Sequence, residues 1–182
     1  MHTILLTGAT GRHAVVFRGW LRRIARRAER KELDLFVYRS IVPARAADVF
    51  RWHERPDALT ALLPHTSLLR IEERVGGVRD GGRVTFSVGI GPLRLRWQAR
   101  HFGFVPDVQF CDEQVRGPFA FWRHTHRVQP IADDRTLYED RVEYAVPGGR
   151  WINALAAPLV RRVLARSFAV RHRVVRERVL AS

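Results

Sequence analysis

The sequence predicts an α+β domain in which one strongly bent antiparallel sheet is covered by a long C-terminal helix. Three observations predict this fold. Seven short strand-type segments are separated by turn residues. Two short helical segments follow the first strand, and a long helical pattern closes the chain. Because a bent sheet cannot fill its own concave side, the space between sheet and helix is expected to hold a ligand.

The strands and short helices follow one another in a simple order. The first strand is predicted at residues 33–38. Pro43 then opens a helical turn, Pro56 separates two short helices at 44–52 and 57–63, and Pro64 stops the second. Six further strands are bounded by turns that contain Gly, Pro or Asp: 68–75, 83–90, 93–102, 109–115, 119–128 and 136–146.

The closing helix is predicted from residue 150 to about residue 180. Its apolar side is predicted from the spacing of seven residues: Ile152, Leu155, Leu159, Val163, Phe168, Val175 and Val179. Pro158 is expected to kink this helix or to divide it in two.

Positive charge is concentrated at the two ends of the chain. Residues 1–32 hold eight basic and two acidic residues, a net charge of +6, and residues 150–182 hold eight Arg and one Glu, a net charge of +7. The middle of the chain is nearly neutral, at +1. This distribution is typical either of a solvated basic surface or of contact with an anionic partner, which is an anionic membrane surface or RNA.

Residues 1–32 are predicted to form an extension outside the domain, which occupies 33–182. The extension begins with a glycine turn at Gly8 and Gly11 that resembles a dinucleotide-binding turn, but Ala14 replaces its usual third glycine. A basic amphipathic helix is predicted from residue 15 to residue 32. Too few residues follow for a nucleotide-binding domain, so no cofactor is expected.

The composition favours a cytoplasmic protein. Cys111 is the single cysteine, which excludes an internal disulfide. No stretch approaches the roughly 20 apolar residues of a membrane span. We therefore expect the protein in the cytoplasm, or at the inner face of the membrane through its Arg-rich terminal helices.

Several blocks of sequence carry a resemblance to a known family: Ile41–Ala44, Val49–His53, Arg55-Pro56, Gly91-Pro92-Leu93 with Trp97, Phe110–Phe119, Trp122–His126 and Glu139–Tyr144. These blocks resemble the START-like (SRPBCC) superfamily of bacteria, in particular its polyketide-cyclase/dehydrase and coenzyme-Q-binding group. They are most similar to a ligand-binding branch found fused to, or beside, an epimerase. The resemblance covers about residues 33–178 and implies a helix-grip (START/Bet v 1-like) fold around a hydrophobic ligand.

Five polar residues form the densest polar cluster among the apolar strands: Asp112, Gln114, His124, His126 and Asp140. Side chains alternate between the two faces of a strand, and Asp140 shares its face with Val142 and Tyr144. Asp140 is therefore expected to point inward. The same reasoning places Asp112 and Gln114 with Phe110, and His124 and His126 with Trp122.

The hairpin at Gly117-Pro118 decides whether these faces agree. A two-residue loop pairs Glu113 with Trp122 and separates Asp112 from the histidines. A three-residue loop pairs Asp112 with Trp122 and gathers the cluster. We favour the three-residue loop because it buries Phe110 and Trp122 together.

Four interpretations of the cluster remain open: a structural hydrogen-bond network, an anchor for a ligand, a general acid–base pair and a metal site. The metal site is disfavoured because residues two apart on a strand are about 7 Å apart. Trp97, Trp122 and Tyr144 are expected to line the ligand cavity, and His53 lies where its mouth is expected. We assign no catalytic residue and no metal ligand.

The preferred function is binding of a quinone, lipid or polyketide-like molecule in the cavity by a carrier, chaperone or sensor, without catalysis. One alternative is a cyclase or dehydratase that uses the His/Asp cluster. The second alternative is an interaction protein that binds RNA or the ribosome.

Overall fold

The computed structural model describes residues 33–63, 69–90 and 92–181, without the side chain of Ile90. Several predictions lie outside the described residues: the glycine turn and basic helix of residues 1–32, the helix stop at Pro64, the strand start at residue 68 and the turn at Gly91. The proposed division of the chain at residue 33 therefore stays a prediction.

Seven strands and three helices make up the described part of the chain. The order is β1 (Asp34–Val42), α1 (Ala46–Glu54), α2 (Ala58–Leu62), β2 (Leu69–Val75), β3 (Arg83–Ile90), β4 (Leu93–Val105), β5 (Gln109–Arg116), β6 (Phe121–Ala132), β7 (Arg135–Ala145) and α3 (Arg150–Leu180). The predicted fold class is confirmed: a seven-stranded curved antiparallel sheet, two short helices after the first strand and a long C-terminal helix.

The sheet runs β1-β7-β6-β5-β4-β3-β2, and every neighbouring pair is antiparallel. Consecutive strands from β2 to β7 are therefore neighbours, and β1 returns to lie beside β7. β1 is longer than predicted because its ladder with β7 continues to Val42, opposite Thr136. β4 also runs past its predicted end, through a register shift that contains Gly103. The φ angle of Gly103 is +64°, a left-handed conformation that favours glycine.

The second half of α3 buries one stripe against the sheet and the short helices. The stripe consists of Leu164, Phe168, His172, Val175 and Val179, spaced three or four residues apart. Pro158 lies inside α3 without dividing it. Of the two expectations for Pro158, division of the helix is therefore wrong.

The first half of α3 faces the domain with the buried Asn153 and the partly buried Val160. Oδ1 of Asn153 accepts a hydrogen bond from the backbone N–H of Val146, and Nδ2 of Asn153 donates to Asp34. The apolar side predicted for this half is wrong, because its residues are exposed: Ile152, Leu155, Leu159 and Val163. A helix turns by about 100° per residue, so Leu159 lies opposite Phe168, nine residues later.

Two groups of buried side chains form the core of the part of the chain that the structure describes. One lies under α1 and α2 and includes Val49, Phe50 and Val175. The other lies between β7 and α3 and includes Val142, Tyr144 and Phe168. No helix in the described ranges has the length and apolar character that a membrane span requires.

Candidate functional site

A cavity of about 310 Å³ lies between the concave face of the sheet and α3. Its walls are mostly apolar and aromatic, with Phe86, Trp97 and Phe119 from the sheet side and Leu164 and Phe168 from α3. Asp112, His124 and His126 form a polar cluster on this wall, and the other polar residues of the lining are His53, Arg74, Arg83, His101, Ser167 and Arg171. An apolar cavity with a small number of convergent polar groups is the usual form of a small-molecule site.

Asp140 is the centre of the polar cluster. Its side chain is 1% exposed, on β7. Oδ1 of Asp140 lies 3.0 Å from Nε2 of His124 and 2.8 Å from Nδ1 of His126. Oδ2 of Asp140 lies 2.9 Å from Nε2 of His172, on α3. An ionised carboxylate only accepts hydrogen bonds, so each imidazole donates to Asp140.

Asp112 lies on the cavity side of the two sheet histidines. Its Oδ2 atom lies 3.3 Å from Nδ1 of His124 and 3.5 Å from Nε2 of His126. Its side chain is 17% exposed, against 3% for His124 and 8% for His126. The two imidazole rings therefore lie between a sealed carboxylate and a more open one. Their centroids are only 3.9 Å apart, so the side chains converge beyond what their strand spacing predicts.

The two carboxylates keep His124 protonated. Burial alone lowers the pKa of His124, but the charges of Asp140 and Asp112 outweigh it and raise that pKa to about 9. Burial raises the pKa of Asp112, but the charge of His124 and its hydrogen bonding hold that pKa below its ordinary value. Burial also raises the pKa of Asp140, and the imidazoles of His126 and His124 hold it well below its ordinary value. At neutral pH the cavity therefore contains an imidazolium next to a carboxylate.

His53 joins the cluster through Tyr138. Nδ1 of His53 donates to the backbone oxygen of Val49 at 2.8 Å, and Nε2 lies 3.0 Å from the hydroxyl of Tyr138. Burial lowers the pKa of His53, with a further contribution from His126, to about 3. His53 is thus neutral, and its Nε2 accepts the hydroxyl proton of Tyr138. His53 also lines the cavity.

Neither of the two hairpin registers considered from the sequence is the observed one. Asp112 pairs with His124 and Phe110 with His126, and the ladder ends where Glu113 pairs with Arg123. Beyond this pair, the side chain of Gln114 makes the hydrogen bonds that hold the hairpin. Nε2 of Gln114 donates to the backbone oxygen of Phe119, and its Oε1 accepts from the N–H of the same residue. Asp112 and the histidines still share a face, because the observed register differs from the favoured one by two residues.

The other predicted residues divide into two groups. Trp97 and Trp122 line the cavity, with ring centroids 5.2 Å apart and planes at 89°. Gln114, Asp140 and Tyr144 do not line it. Gln114 holds the hairpin, Asp140 lies behind the histidines, and Tyr144 packs in the core between β7 and α3.

Sequence reasoning missed His172 and Tyr138. His172 lies four residues after Phe168 and three before Val175, so it shares the buried stripe of α3. Tyr138 lies two residues before Asp140 and therefore on the same face of β7. Both positions could have been found from spacing alone, because a polar residue on a buried face needs a partner.

Residues 42–168 match the family described as polyketide cyclase / dehydrase and lipid transport. No curated protein sequence matches the chain significantly. Among solved structures, the chain is similar to the Zhui aromatase/cyclase of Streptomyces sp. R1128, with 14% identity, a TM-score of 0.63 and coverage of 81% of this chain and 94% of that one. Truncated norcoclaurine synthase of Thalictrum flavum gives 17% identity, a TM-score of 0.67 and coverage of 83% and 96%. These two likenesses show the fold.

A nucleoside-diphosphate sugar epimerase of Corynebacterium glutamicum is 26% identical, with a TM-score of 0.62. The likeness covers 78% of this chain and 28% of the epimerase. The match to the family extends over more than two thirds of the sequence and agrees with the resemblance seen in its motifs. The chain belongs to the polyketide cyclase / dehydrase and lipid transport family, a START-like family with a helix-grip fold for hydrophobic ligands.

Proposed function

We propose that the protein binds a hydrophobic small molecule in the cavity and anchors one ligand oxygen at Asp112, His124 and His126. The observation that carries this proposal is a mostly apolar cavity of about 310 Å³ with a charged cluster on its wall. A buried imidazolium and carboxylate that face an apolar space favour a ligand that brings a hydrogen-bonding oxygen to them.

The lining favours a ligand with flat rings. Trp97 packs against Phe119 and Trp122, with ring centroids 5.8 Å and 5.2 Å apart, so one region of the wall is aromatic. A quinone or a polyketide-like aromatic compound offers both the ring surface and the carbonyl oxygen that this wall and cluster accept. A lipid offers a polar end but no ring. The protein then acts as a carrier, chaperone or sensor of such a compound.

Fluorescence of N-phenyl-1-naphthylamine, a neutral apolar probe, tests this proposal. We expect the wild-type protein to bind one probe, and menadione to displace it more effectively than palmitate. Ser167 lines the cavity on an exposed part of α3, so Ser167→Trp should obstruct it without disturbing the core. Arg166→Trp, one residue away and outside the lining, is the matched control. Absence of probe binding, or equal binding by Ser167→Trp and wild type, would refute the proposal.

One observation favours a second candidate function, general acid–base catalysis on such a ligand. Nδ1 of His124 and Oδ2 of Asp112 lie 3.3 Å apart, and both residues line the cavity. The protonated His124 can donate to a ligand carbonyl while ionised Asp112 removes a proton from the adjacent carbon. These two transfers are the ones that enolisation of a ketone needs, and enolisation starts many cyclisations and dehydrations.

Deuterium exchange into the α-carbon of 2-tetralone, followed by NMR, tests the second candidate. We expect exchange faster than in buffer alone, and a loss of that acceleration in Asp112→Asn. Glu113→Gln is the matched control, because Glu113 lies next on β5 and pairs with Arg100 instead. If wild type and Asp112→Asn exchange the ketone at the same rate, the enzyme hypothesis fails and ligand binding without catalysis remains.

We further propose that α3 docks on an anionic lipid surface to exchange the ligand. The side of α3 opposite its buried stripe carries exposed apolar residues, among them Trp151 at 75%, Leu155 at 80% and Leu159 at 68% exposure. The exposed Arg162 and Arg166 continue this side along the helix. Apolar side chains beside basic ones fit the interface of an anionic membrane. Val163, 57% exposed, also lines the cavity and so connects this side with it.

Co-sedimentation with vesicles tests the docking proposal. Wild type should bind vesicles of phosphatidylglycerol but not of phosphatidylcholine, and Leu155→Ser/Leu159→Ser should lose this binding. Val115→Ser/Ile131→Ser removes exposed apolar residues elsewhere and should keep it. Binding that favours an RNA oligonucleotide over the vesicles at equal salt, and that survives Leu155→Ser/Leu159→Ser, would contradict the proposal and identify a nucleic-acid partner.

A further inference from the structure

Three side-chain atoms converge on one point in the cavity wall: Oδ2 of Asp112, Nδ1 of His124 and Nε2 of His126. All three lie within 4.8 Å of one another. Two histidines and one carboxylate form a common ligand set for divalent transition metals. We propose that this triangle, here called the Asp112 triad, binds one divalent transition-metal ion of the zinc type.

The opposite nitrogens of both imidazoles support this proposal. Nε2 of His124 and Nδ1 of His126 lie 3.0 Å and 2.8 Å from Oδ1 of Asp140. A histidine that binds a metal nearly always donates its other N–H to a carboxylate or carbonyl, which orients the ring. Asp140 performs this role for both rings at once. His172, which donates to Oδ2, holds Asp140 in place from α3.

The distances from Asp112 to the two histidines are longer than the distances from Asp140 to its histidine partners. Contacts with Asp140 span 2.8 to 3.0 Å, the length of good hydrogen bonds. The nitrogens of His124 and His126 lie 3.3 Å and 3.5 Å from Oδ2 of Asp112, longer than a charge-assisted hydrogen bond of about 2.8 Å. Ligands bonded at about 2.05 Å to a tetrahedral ion lie about 3.4 Å apart. These two distances are thus compatible with an ion held between Asp112 and the two histidines.

The surroundings leave one coordination position open. All three ligands line the cavity, so a fourth position faces the space for the hydrophobic molecule. The ring of His126 stacks on Phe110, with centroids 4.2 Å apart and planes at 17°, which fixes its orientation. On binding, the ion replaces the Nδ1 proton of His124, which leaves to solvent. Metal binding does not require the hydrophobic ligand, so the inference goes beyond the proposed function.

Titration with Co²⁺ in place of the unidentified metal tests the proposal on the full chain after dialysis against EDTA. We expect visible absorption bands of four- or five-coordinate Co²⁺ that saturate at one equivalent and disappear when Zn²⁺ is added. Asp112→Asn and His126→Gln should weaken binding on the order of 100-fold or more. Glu113→Gln, at a carboxylate next to Asp112 on β5 that pairs with Arg100 and does not line the cavity, is the matched control and should bind like wild type.

Wild-type protein provides a measurement that does not depend on any variant. In long-range ¹H–¹⁵N spectra, Zn²⁺ should shift the Nδ1 resonance of one histidine and the Nε2 resonance of another, with both opposite nitrogens remaining protonated. Absence of a saturable site, or a site that survives Asp112→Asn and His126→Gln in folded protein, would overturn the proposal. Failure of metal binding leaves binding of N-phenyl-1-naphthylamine unaffected, so the two proposals fail separately.

Discussion

Nε2 of His172 lies 2.9 Å from Oδ2 of Asp140, and this contact joins the closing helix to the polar cluster of the sheet. Because the ionised carboxylate accepts, His172 carries its proton on Nε2. In the neutral ring, its Nδ1 atom then accepts from the hydroxyl of Ser40, 2.7 Å away on β1. One histidine therefore connects α3 with both β1 and β7. The position of α3 over the cavity depends on this contact as well as on apolar packing.

Asp140→Asn tests the central carboxylate. The change preserves shape but removes the charge and one acceptor, so the buried imidazoles of His124 and His126 lose their partner. We expect the free energy of unfolding to fall by about 3 to 5 kcal/mol. Chemical denaturation measures this loss, and the exposed Asp133→Asn should change it by less than about 0.5 kcal/mol. A loss below about 1 kcal/mol would show that Asp140 is not the centre of the network.

The contact between Ser40 and His172 can be measured with a double-mutant cycle. Ser40→Ala leaves Nδ1 of His172 without its donor and should lower the free energy of unfolding by about 1 kcal/mol. In a His172→Leu background the same change should have almost no effect, because the acceptor is gone. Thr125→Ala, a hydroxyl lost from the other face of β6, is the control and should be additive with His172→Leu. Additive effects of Ser40→Ala and His172→Leu would contradict the contact.

His53 predicts a specific dependence of stability on pH. Its pKa is lowered from 6.5 to about 3 by burial and by neighbouring His126, while Asp140 opposes the shift and Arg171 adds to it. Between pH 6.5 and pH 3 the unfolded chain takes up a proton that the folded chain excludes, so stability is lost as pH falls. Above pH 6.5 His53 contributes no pH dependence.

His53→Gln removes this titration and can still accept from Tyr138. Between about pH 6 and pH 4, we expect its unfolding free energy to vary less steeply than that of wild type, by up to about 1.4 kcal/mol per pH unit. Above pH 7 the two curves should be parallel. Denaturation at a series of pH values measures both slopes, and parallel curves over the whole range would show that His53 titrates normally.

The fold could be predicted from the sequence because local signals agree along the chain. Turn residues separate the strands, and Val142 and Tyr144 mark the inner face of β7. The prediction for the first half of α3 is wrong because this half of the helix has two sides that could face the domain. Leu155 and Leu159 form the more apolar side, yet Asn153 and its hydrogen bonds to Val146 and Asp34 determine which side faces the domain. Apolar spacing alone does not contain this information.

The candidate site could be predicted only in part. Strand alternation places Asp112, His124 and Asp140 on one face when the register of the β5–β6 hairpin pairs Asp112 with an even-numbered residue, as it does with His124. The convergence of the two imidazoles could not be predicted, since it depends on the side-chain rotamers of His124 and His126. Asp140, on the neighbouring strand β7, fixes these rotamers through its contacts with both rings. The hairpin register could not be predicted either, because the side-chain amide of Gln114 bonds the backbone of Phe119 in place of a backbone pair.

Replacement of Gln114 is therefore expected to lower stability without weakening ligand binding. Gln114→Ala removes both amide contacts with Phe119, so we expect the free energy of unfolding to fall by about 1 to 2 kcal/mol. Binding of N-phenyl-1-naphthylamine should stay within about twofold of wild type, because Gln114 does not line the cavity. Gln129→Ala, exposed on β6, is the control and should change neither quantity. A variant of normal stability with weakened probe binding would assign Gln114 to the ligand instead of the hairpin.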